Sequence, residues 1–158
     1  GVTKATLLMR MTDEDWQSVI DTNLTGTFRV VRRASRPMMR GRFGRIVLIS
    51  SVVGLLGSPG QINYSSSKSA LVGMARSLTR EIGSRNVTTN VIAPGFIETD
   101  MTAVLPDETI ADYTRRIPAG RLGSVDDVAQ AALFLAGDHA GYISGAVIPV
   151  DGGLGMGH

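Results

Sequence analysis

The stretch Ser51–Lys68 reads SVVGLLGSPGQINYSSSK, and it follows directly on Arg45–Ser50, RIVLIS. A short, continuous apolar run such as 45–50 is the mark of a strand covered on both faces. The loop that follows, as far as Gly60, is rich in Gly, Ser and Pro. From about Gln61 to Ser84 the pattern turns helical, with Ala70, Leu71, Met74, Leu78 and Ile82 on one inner face. Strand, loop and helix in this order are a unit of an α/β sheet. In open sheets of that kind ligands bind beyond the carboxyl ends of the strands, which is where Ser51 stands. Tyr64 and Lys68 lie four residues apart on the helix and share a face. A free phenol has a pKa of about 10, too high for easy proton exchange near neutrality. A cationic neighbour favours the phenolate, and a second hydroxyl can steady a substrate oxygen as its charge changes. Ser51, Tyr64 and Lys68 therefore form a candidate catalytic set for proton chemistry on a carbonyl or an alcohol. A lone Tyr-x-x-x-Lys is a weak signal. It gains weight because Lys4 and Lys68 are the only lysines, against fourteen arginines, and Lys is the compact point charge that Arg is not.

Toward the N-terminus, Thr12 with Asp15 three residues on resembles a capping box, and Asp13, Glu14 and Asp15 suit a helix start. Trp16, Val19, Ile20 and Leu24, then Phe28, Val31 and Ala34, predict one long helix from about Asp13 to Arg40. A bend is expected at Asn23-Leu24-Thr25-Gly26, since Asn and Gly are poor helix-interior residues. Places that break local rules are often functional, which makes Asn23 a candidate. Arg40–Gly44 reads as a turn.

Toward the C-terminus, Thr88–Ala93 (TTNVIA) reads as the next buried strand. It runs into Pro94-Gly95-Phe96-Ile97-Glu98-Thr99-Asp100, again just past a strand's carboxyl end. Gly95 has no side chain to keep a ligand off the backbone. Residues 101–123 lack periodicity and hold Pro106 and Pro118, which reads as a lid or binding loop. Ser124 and Asp127 predict a second capping box before a helix at Val125–Ala136. Ala146–Val150 is a last strand, followed by Asp151-Gly152-Gly153. The expected fold is α/β with parallel, right-handed crossovers, in one domain spanning 1–158.

Composition narrows the function classes. The formal charge of +2 is too small to argue for nucleic acid, and no basic block with interleaved aromatics occurs. There is no cysteine, so no disulfide framework or thiol chemistry is expected. His139 and His158 cannot build a histidine-rich metal site, so no metal is expected. No apolar run is long enough to span a membrane and no signal-peptide pattern appears, so the expected location is the cytoplasm.

Taken together, the motifs resemble those of the short-chain dehydrogenase/reductases. The likeness rests on N-x-x-G at Asn23–Gly26, a strand ending in Ser50-Ser51, Y-x-x-x-K at Tyr64–Lys68 with Ser51 thirteen residues earlier, P-G-F-I-x-T at Pro94–Thr99, and D-G-G at Asp151–Gly153. It covers essentially the whole chain. Within that family the phrases GRIVLISSVVG, NYSSSKSALVGMARSL and NVIAPGFIETDM look most like the 3-oxoacyl-acyl-carrier-protein reductases of bacterial fatty-acid synthesis. The ending YISGAVIPVDGGLGMGH looks like their actinobacterial branch.

The resemblance implies a Rossmann-like, doubly wound parallel sheet. It implies NADPH-dependent reduction of a 3-oxoacyl thioester carried on acyl carrier protein. Tyr64 would give the proton, Lys68 would lower its pKa and hold the nicotinamide ribose, and Ser51 would polarise the carbonyl. Asn23 would hold a water that reprotonates Lys68. Pro94, Gly95, Ile97 and Thr99 would lie against the nicotinamide carboxamide. Arg42 and Arg85 match basic positions that meet the acidic carrier protein, and the family's usual homotetramer would pack helices 13–40 and 61–84 against their copies. The family also begins with a strand, a T-G-x-x-x-G-I-G loop and a helix that hold the pyrophosphate. No such loop stands in this sequence, so the chain is expected to be the C-terminal part of such a domain. Three readings stay open: a carrier-protein-linked ketoreductase; another short-chain dehydrogenase acting on an alcohol, sugar or steroid; or a non-catalytic fragment that keeps the oligomerisation helices.

Overall fold

A computed structural model describes residues 1–99, 102 and 106–156. Helix α1, Asp13–Ile20, starts as its sequence predicts: the Thr12 hydroxyl accepts the Asp15 N–H at 3.1 Å. The expected bend is a π-helical turn, Asp21–Thr25, that joins α1 without a break to α2, Gly26–Gly41. Helix α2 ends at Arg42, whose left-handed backbone (φ 52°) lets its N–H close on the Met38 and Met39 carbonyls.

Strand β1 follows at Gly44–Ile49. Its burial alternates between buried and half-buried, and Ile49 at its end is 43% exposed, so the expected cover on both faces is complete only on the side of Ile46 and Leu48. The reason is position: among the described residues β1 pairs only with β2 and is an edge strand. The Gly/Ser/Pro loop after it contains a short helix, α3 (Val52–Leu56), that its composition did not announce. Helix α4, Ile62–Ile82, buries Leu71, Ala75 and Ile82, with Ala75 rather than Ala70 on the inner face. Strand β2, Val87–Pro94, is buried over nearly its whole length.

Residues 101–123 are not structureless, because helix α5 occupies Asp107–Arg116. Asp107 and Glu108 sit in its first turn and Arg115 and Arg116 in its last, which suits the helix dipole. Asp100, at the end of the Pro94–Asp100 stretch, and Met101 and residues 103–105 of the expected lid lie outside the described residues. Helix α6, Val125–Ala136, begins with a full capping box between Ser124 and Asp127. Strand β3, Val147–Val150, completes a three-stranded parallel sheet in the order β1-β2-β3.

The fold is α/β with helices on both faces of the sheet. On one face Ile46, Leu48, Val87 and Val91 pack against Val31 of α2 and Leu71 and Ala75 of α4. On the other, Ile92 packs with Leu135 and Ala140, joined by Val47, Ile148 and Val128. The alternation of Ile46 and Leu48 against Val47 follows from the period of two along a strand. The parallel register sets Ile49 beside Ile92, so β1 ends two residues before β2, which ends level with β3 at Pro94 and Val150. Their carboxyl ends deliver Ser50-Ser51 and Pro94-Gly95 to one edge of the sheet.

Candidate active site

Helices α3 and α4 face one another across the carboxyl end of β1. Ser51 is the N-cap of α3, and its hydroxyl accepts the Val53 N–H at 3.2 Å. Gly54 lets the two helices touch: a Cβ there would meet Lys68 Cβ at 2.9 Å and the Ser69 nitrogen at 3.0 Å. Ser50, buried, donates from its hydroxyl to the Lys68 carbonyl at 2.8 Å and from its backbone N–H to the Ile92 carbonyl at 2.7 Å. It thereby pins the end of β1 to both α4 and β2.

Lys68 is nearly buried, and its Nζ donates to the Ile49 carbonyl at 2.9 Å. An ammonium has three donors, so two remain for other partners. Its Nζ stands 5.7 Å from the centroid of the Tyr64 ring. Burial pushes the Lys68 amine below its ordinary pKa. The Tyr64 phenol is raised above its ordinary value, first by burial; the nearby Ser51 hydroxyl acts in the opposite, lowering direction. Sequence reasoning expected Lys68 to depress the Tyr64 phenol. In the structure desolvation dominates, because the amine lies over the ring and is tied to the strand rather than to the phenol oxygen.

Asn23 sits in the π-helical turn and is 4% exposed. Its amide clasps the backbone of Val2, accepting from the Val2 N–H at 2.8 Å and donating to the Val2 carbonyl at 2.9 Å. It also donates to the Ser67 hydroxyl at 3.3 Å, and Ser67 donates to the Tyr64 carbonyl at 2.7 Å. A Cβ on Gly1 would fall 2.7 Å from Asn23 Oδ1 and 3.5 Å from Lys68 Nζ, so Gly1, Asn23 and Lys68 meet at one point. That point closes one end of a cavity of about 470 Å³ along the free side of β1, lined also by Val31, Met38 and Leu48.

The loop after β2 is held from behind. Gly95 donates to the Val150 carbonyl at 2.9 Å, and a Cβ there would meet Asp151 Cα at 2.8 Å. The close approach at Gly95 is therefore made by the protein's own Asp151-Gly152-Gly153 turn. Ile97 bridges to Gly123 in parallel, the Glu98 N–H reaches the Gly123 carbonyl at 2.8 Å, and Phe96 stacks on Tyr113 of α5 at 4.1 Å. The Thr99 N–H donates to the Thr102 hydroxyl at 2.8 Å. Arg121 grips Asp127 at 2.8 Å beside this loop, which holds the Asp127 carboxyl far below the usual range.

Asn23, Ser51, Tyr64 and Lys68 are thus gathered at the carboxyl end of β1, and Pro94–Thr99 at the adjoining end of β2. Arg42 and Arg85 lie elsewhere: an Arg42 guanidinium nitrogen donates to the carbonyl of Ser84, the residue before Arg85, at 3.5 Å. Both precede strands, Arg42 before β1 and Arg85 before β2, roughly 17 Å of strand from the site edge. Asn63 and Ser67 are not among the candidates of the sequence, and Ser50 enters only as part of the strand-end motif. Their one signal was polarity on the inner face of an otherwise apolar pattern. Among the described residues no group of three or more His, Cys, Asp or Glu side chains could hold a metal ion, and no helix is long and apolar enough to cross a membrane.

A family model described as enoyl-(acyl carrier protein) reductase matches residues 1–155. The chain is 50% identical over 156 residues to the 3-oxoacyl-[acyl-carrier-protein] reductase FabG of Escherichia coli (strain K12), covering 99% of this chain and 64% of that protein. It is 51% identical over 154 residues to the FabG of Haemophilus influenzae, covering 98% and 64%. It is 52% identical over 158 residues to the 3-oxoacyl-[acyl-carrier-protein] reductase MabA of Mycobacterium tuberculosis (strain CDC 1551 / Oshkosh), covering 100% and 64%. The chain therefore spans about two thirds of the length of these curated relatives. With its serine, tyrosine and lysine brought to one edge of a parallel sheet and a match along almost its whole length, the chain belongs to the short-chain dehydrogenase/reductase family.

Proposed function

We propose that this chain carries the proton-transfer part of an NADPH-dependent reductase that converts a 3-oxoacyl thioester on acyl carrier protein to the 3-hydroxyacyl thioester. The observation that supports it best is the joint placement of Ser51, Tyr64 and Lys68, with Asn23 tied to the Tyr64 carbonyl through Ser67. The half-identity to proteins named for that activity supports the substrate class.

A nicotinamide, when bound, supplies the hydride. The residues present suit its ribose end, since Lys68 keeps two donors beyond the one given to Ile49. Pro94, Gly95, Ile97 and Thr99 would flank the carboxamide. Tyr64 is raised by burial and so holds its proton throughout the neutral range. It begins as a donor, the state a general acid for a carbonyl oxygen requires. Ser51 positions that oxygen and steadies the phenolate that forms. Lys68, cationic and close by, favours the ionised phenol once the proton has moved. Asn23, beside the Lys68 amine, orients the water that returns the proton.

The carrier protein would meet Arg42 and Arg85 at the opposite end of the strands. A homotetramer built on α2 and α4 is supported by the groove between them, a cavity of about 330 Å³ floored by Phe28, Met39, Met74 and Leu78 and edged by Arg32 and Glu81. The reading carries with it a cytoplasmic setting.

The test is NADPH oxidation with a 3-oxoacyl thioester, set beside simple ketones and sugars. The thioester is expected to react fastest, and Tyr64→Phe to abolish turnover at unchanged NADPH affinity. Retained turnover in the variant removes Tyr64 from the acid role. Preference for a sugar or simple ketone selects the wider family instead. A folded chain that neither binds NADPH in a fluorescence titration nor turns over supports the non-catalytic reading.

A further inference from the structure

The segment Gly1–Thr6 is stitched to the site at alternate residues. Val2 is clasped by Asn23, the Lys4 carbonyl is bound by Asn63, and the Thr6 N–H donates to the Gly60 carbonyl at 2.8 Å. Asn63 is the residue of this set that the proposed chemistry leaves unused. It is 0% exposed and stands immediately before Tyr64.

Every part of its amide is committed to backbone. Nδ2 donates to the Lys4 carbonyl at 3.2 Å and to the Asp15 carbonyl of α1 at 3.3 Å. Oδ1 accepts the Tyr64 N–H at 2.8 Å. That N–H lies in the first turn of α4, where backbone donors have no carbonyl of their own helix to reach. A cap would normally come from the residue before the helix, but Gln61 makes no side-chain cap bond. Asn63 therefore caps the turn from inside it, and with the same amide ties that turn to α1 and to the N-terminal segment.

We propose that Asn63 is a positioning residue for Tyr64, holding the phenol in its desolvated place by coupling the first turn of α4 to the Gly1–Thr6 segment and α1. The chemistry supports this over a purely local cap. Its two N–H donors reach two separate chain segments, so one amide links both of them to the turn that carries Tyr64. Removing the amide takes the partner from the Tyr64 N–H and from the Lys4 carbonyl, and one of two side-chain donors from the Asp15 carbonyl, which the Ser18 hydroxyl also reaches at 3.2 Å. The first turn of α4 then loosens, and water reaches the phenol. The Tyr64 pKa, raised mainly by burial, falls back toward its free value.

The proposal rests on the reading of Tyr64 as proton donor, but its test needs no turnover. The chain is labelled with tyrosine carrying ¹³C at Cζ, and Tyr64 is assigned by Tyr64→Phe. In Asn63→Ala the Tyr64 titration midpoint is expected to move down relative to the parent chain. Amide exchange at Thr6 is expected to rise by about tenfold or more as its local closure weakens. Asn63→Ser keeps an acceptor for the Tyr64 N–H but cannot bridge both carbonyls. It is the milder variant, with both changes expected in the same direction and smaller. An unchanged Tyr64 titration in either variant, shown to be folded by circular dichroism, overturns the proposal even if stability falls. That result would leave the Tyr64→Phe turnover test standing, and failure of the turnover test would leave the coupling of Asn63 to Tyr64 intact.

Discussion

Gly54→Ala and Gly73→Ala make a matched pair with opposite expected signs. Both glycines lie inside helices, Gly54 in α3 and Gly73 in α4. On propensity alone, Ala for Gly within a helix stabilises by about 1 kcal/mol. At Gly73 nothing lies within 4 Å of an added Cβ, so that gain should appear in full. At Gly54 the added Cβ would stand 2.9 Å from Lys68 Cβ, 3.0 Å from the Ser69 nitrogen and 3.1 Å from the Lys68 carbonyl carbon. Carbon atoms rest at about 3.5 Å or more, so α3 must withdraw from α4 by roughly 0.6 Å. None of the three atoms is the end of a flexible side chain, so the cost falls in the usual range for overpacking, about 1–3 kcal/mol. Set against the propensity gain, the net change is a loss of about 0–2 kcal/mol, and the gap between the two variants is about 1–3 kcal/mol. Urea unfolding of both variants measures it. The withdrawal also carries Ser51, the N-cap of α3, away from Tyr64. Since Ser51 acts to lower the Tyr64 pKa, that pKa should rise further in Gly54→Ala and stay put in Gly73→Ala. A Gly54→Ala protein as stabilised as Gly73→Ala, with Tyr64 titrating as in the parent, would refute the claim that α3 rests on Lys68.

Two further outcomes are expected. Because the folded Tyr64 phenol lies above its free value of about 10, the native state holds that proton more tightly than the unfolded chain, and stability falls as pH rises through the window above about 10. Lys68, lowered by burial, acts with the opposite sign below about 10.5 and is present in both proteins. Urea melts at rising alkaline pH should therefore show a smaller stability loss in Tyr64→Phe than in the parent, and equal slopes would count against a desolvated Tyr64. Asn90, 0% exposed, donates to the Ile143 carbonyl at 2.8 Å and accepts the Ala146 N–H at 3.1 Å. Asn90→Ala should lose about 1–3 kcal/mol by stranding those two groups, with exchange at Ala146 accelerating first.

The sheet was legible because its strands announce themselves. RIVLIS and TTNVIA are short apolar runs between turn residues, and the helices that cover them carry clean periodicity and caps, Thr12 with Asp15 and Ser124 with Asp127. Helix α3 was hidden because five residues between Ser51 and Gly57 are too few to show a period, and their glycine reads as loop. Helix α5 was hidden because its apolar content is slight; it is held by Tyr113 on Phe96 and by charges matched to its dipole. The candidate residues were legible as types at a spacing. What spacing could not convey is the environment: that burial outweighs Lys68 at Tyr64, that Gly95 yields to Asp151, and that Asn63 and Ser67 serve as struts. The approach of Asp151 to Gly95 and the ties of Ser67 and Asn63 to other segments join residues 44 to 59 apart in sequence.

The π-helical turn at Asp21–Thr25 has a consequence for the phase of the helix it interrupts. Val19 and Val31 are both buried, one on each side of it. Twelve residues of uninterrupted α-helix would set them about 120° apart around the axis, at about 100° per residue. A π turn behaves as one surplus residue and removes about 100° of that offset, which returns both valines to nearly the same side. The turn works as a vernier between two helical registers, and Asn23 occupies the notch where they slip. Substitutions within it would leave the count intact. Deleting a single residue from 21–25 would restore a regular helix with eleven steps between the two valines, about 20° apart, so α1, with Thr12 and Asp15, would keep its side toward α4.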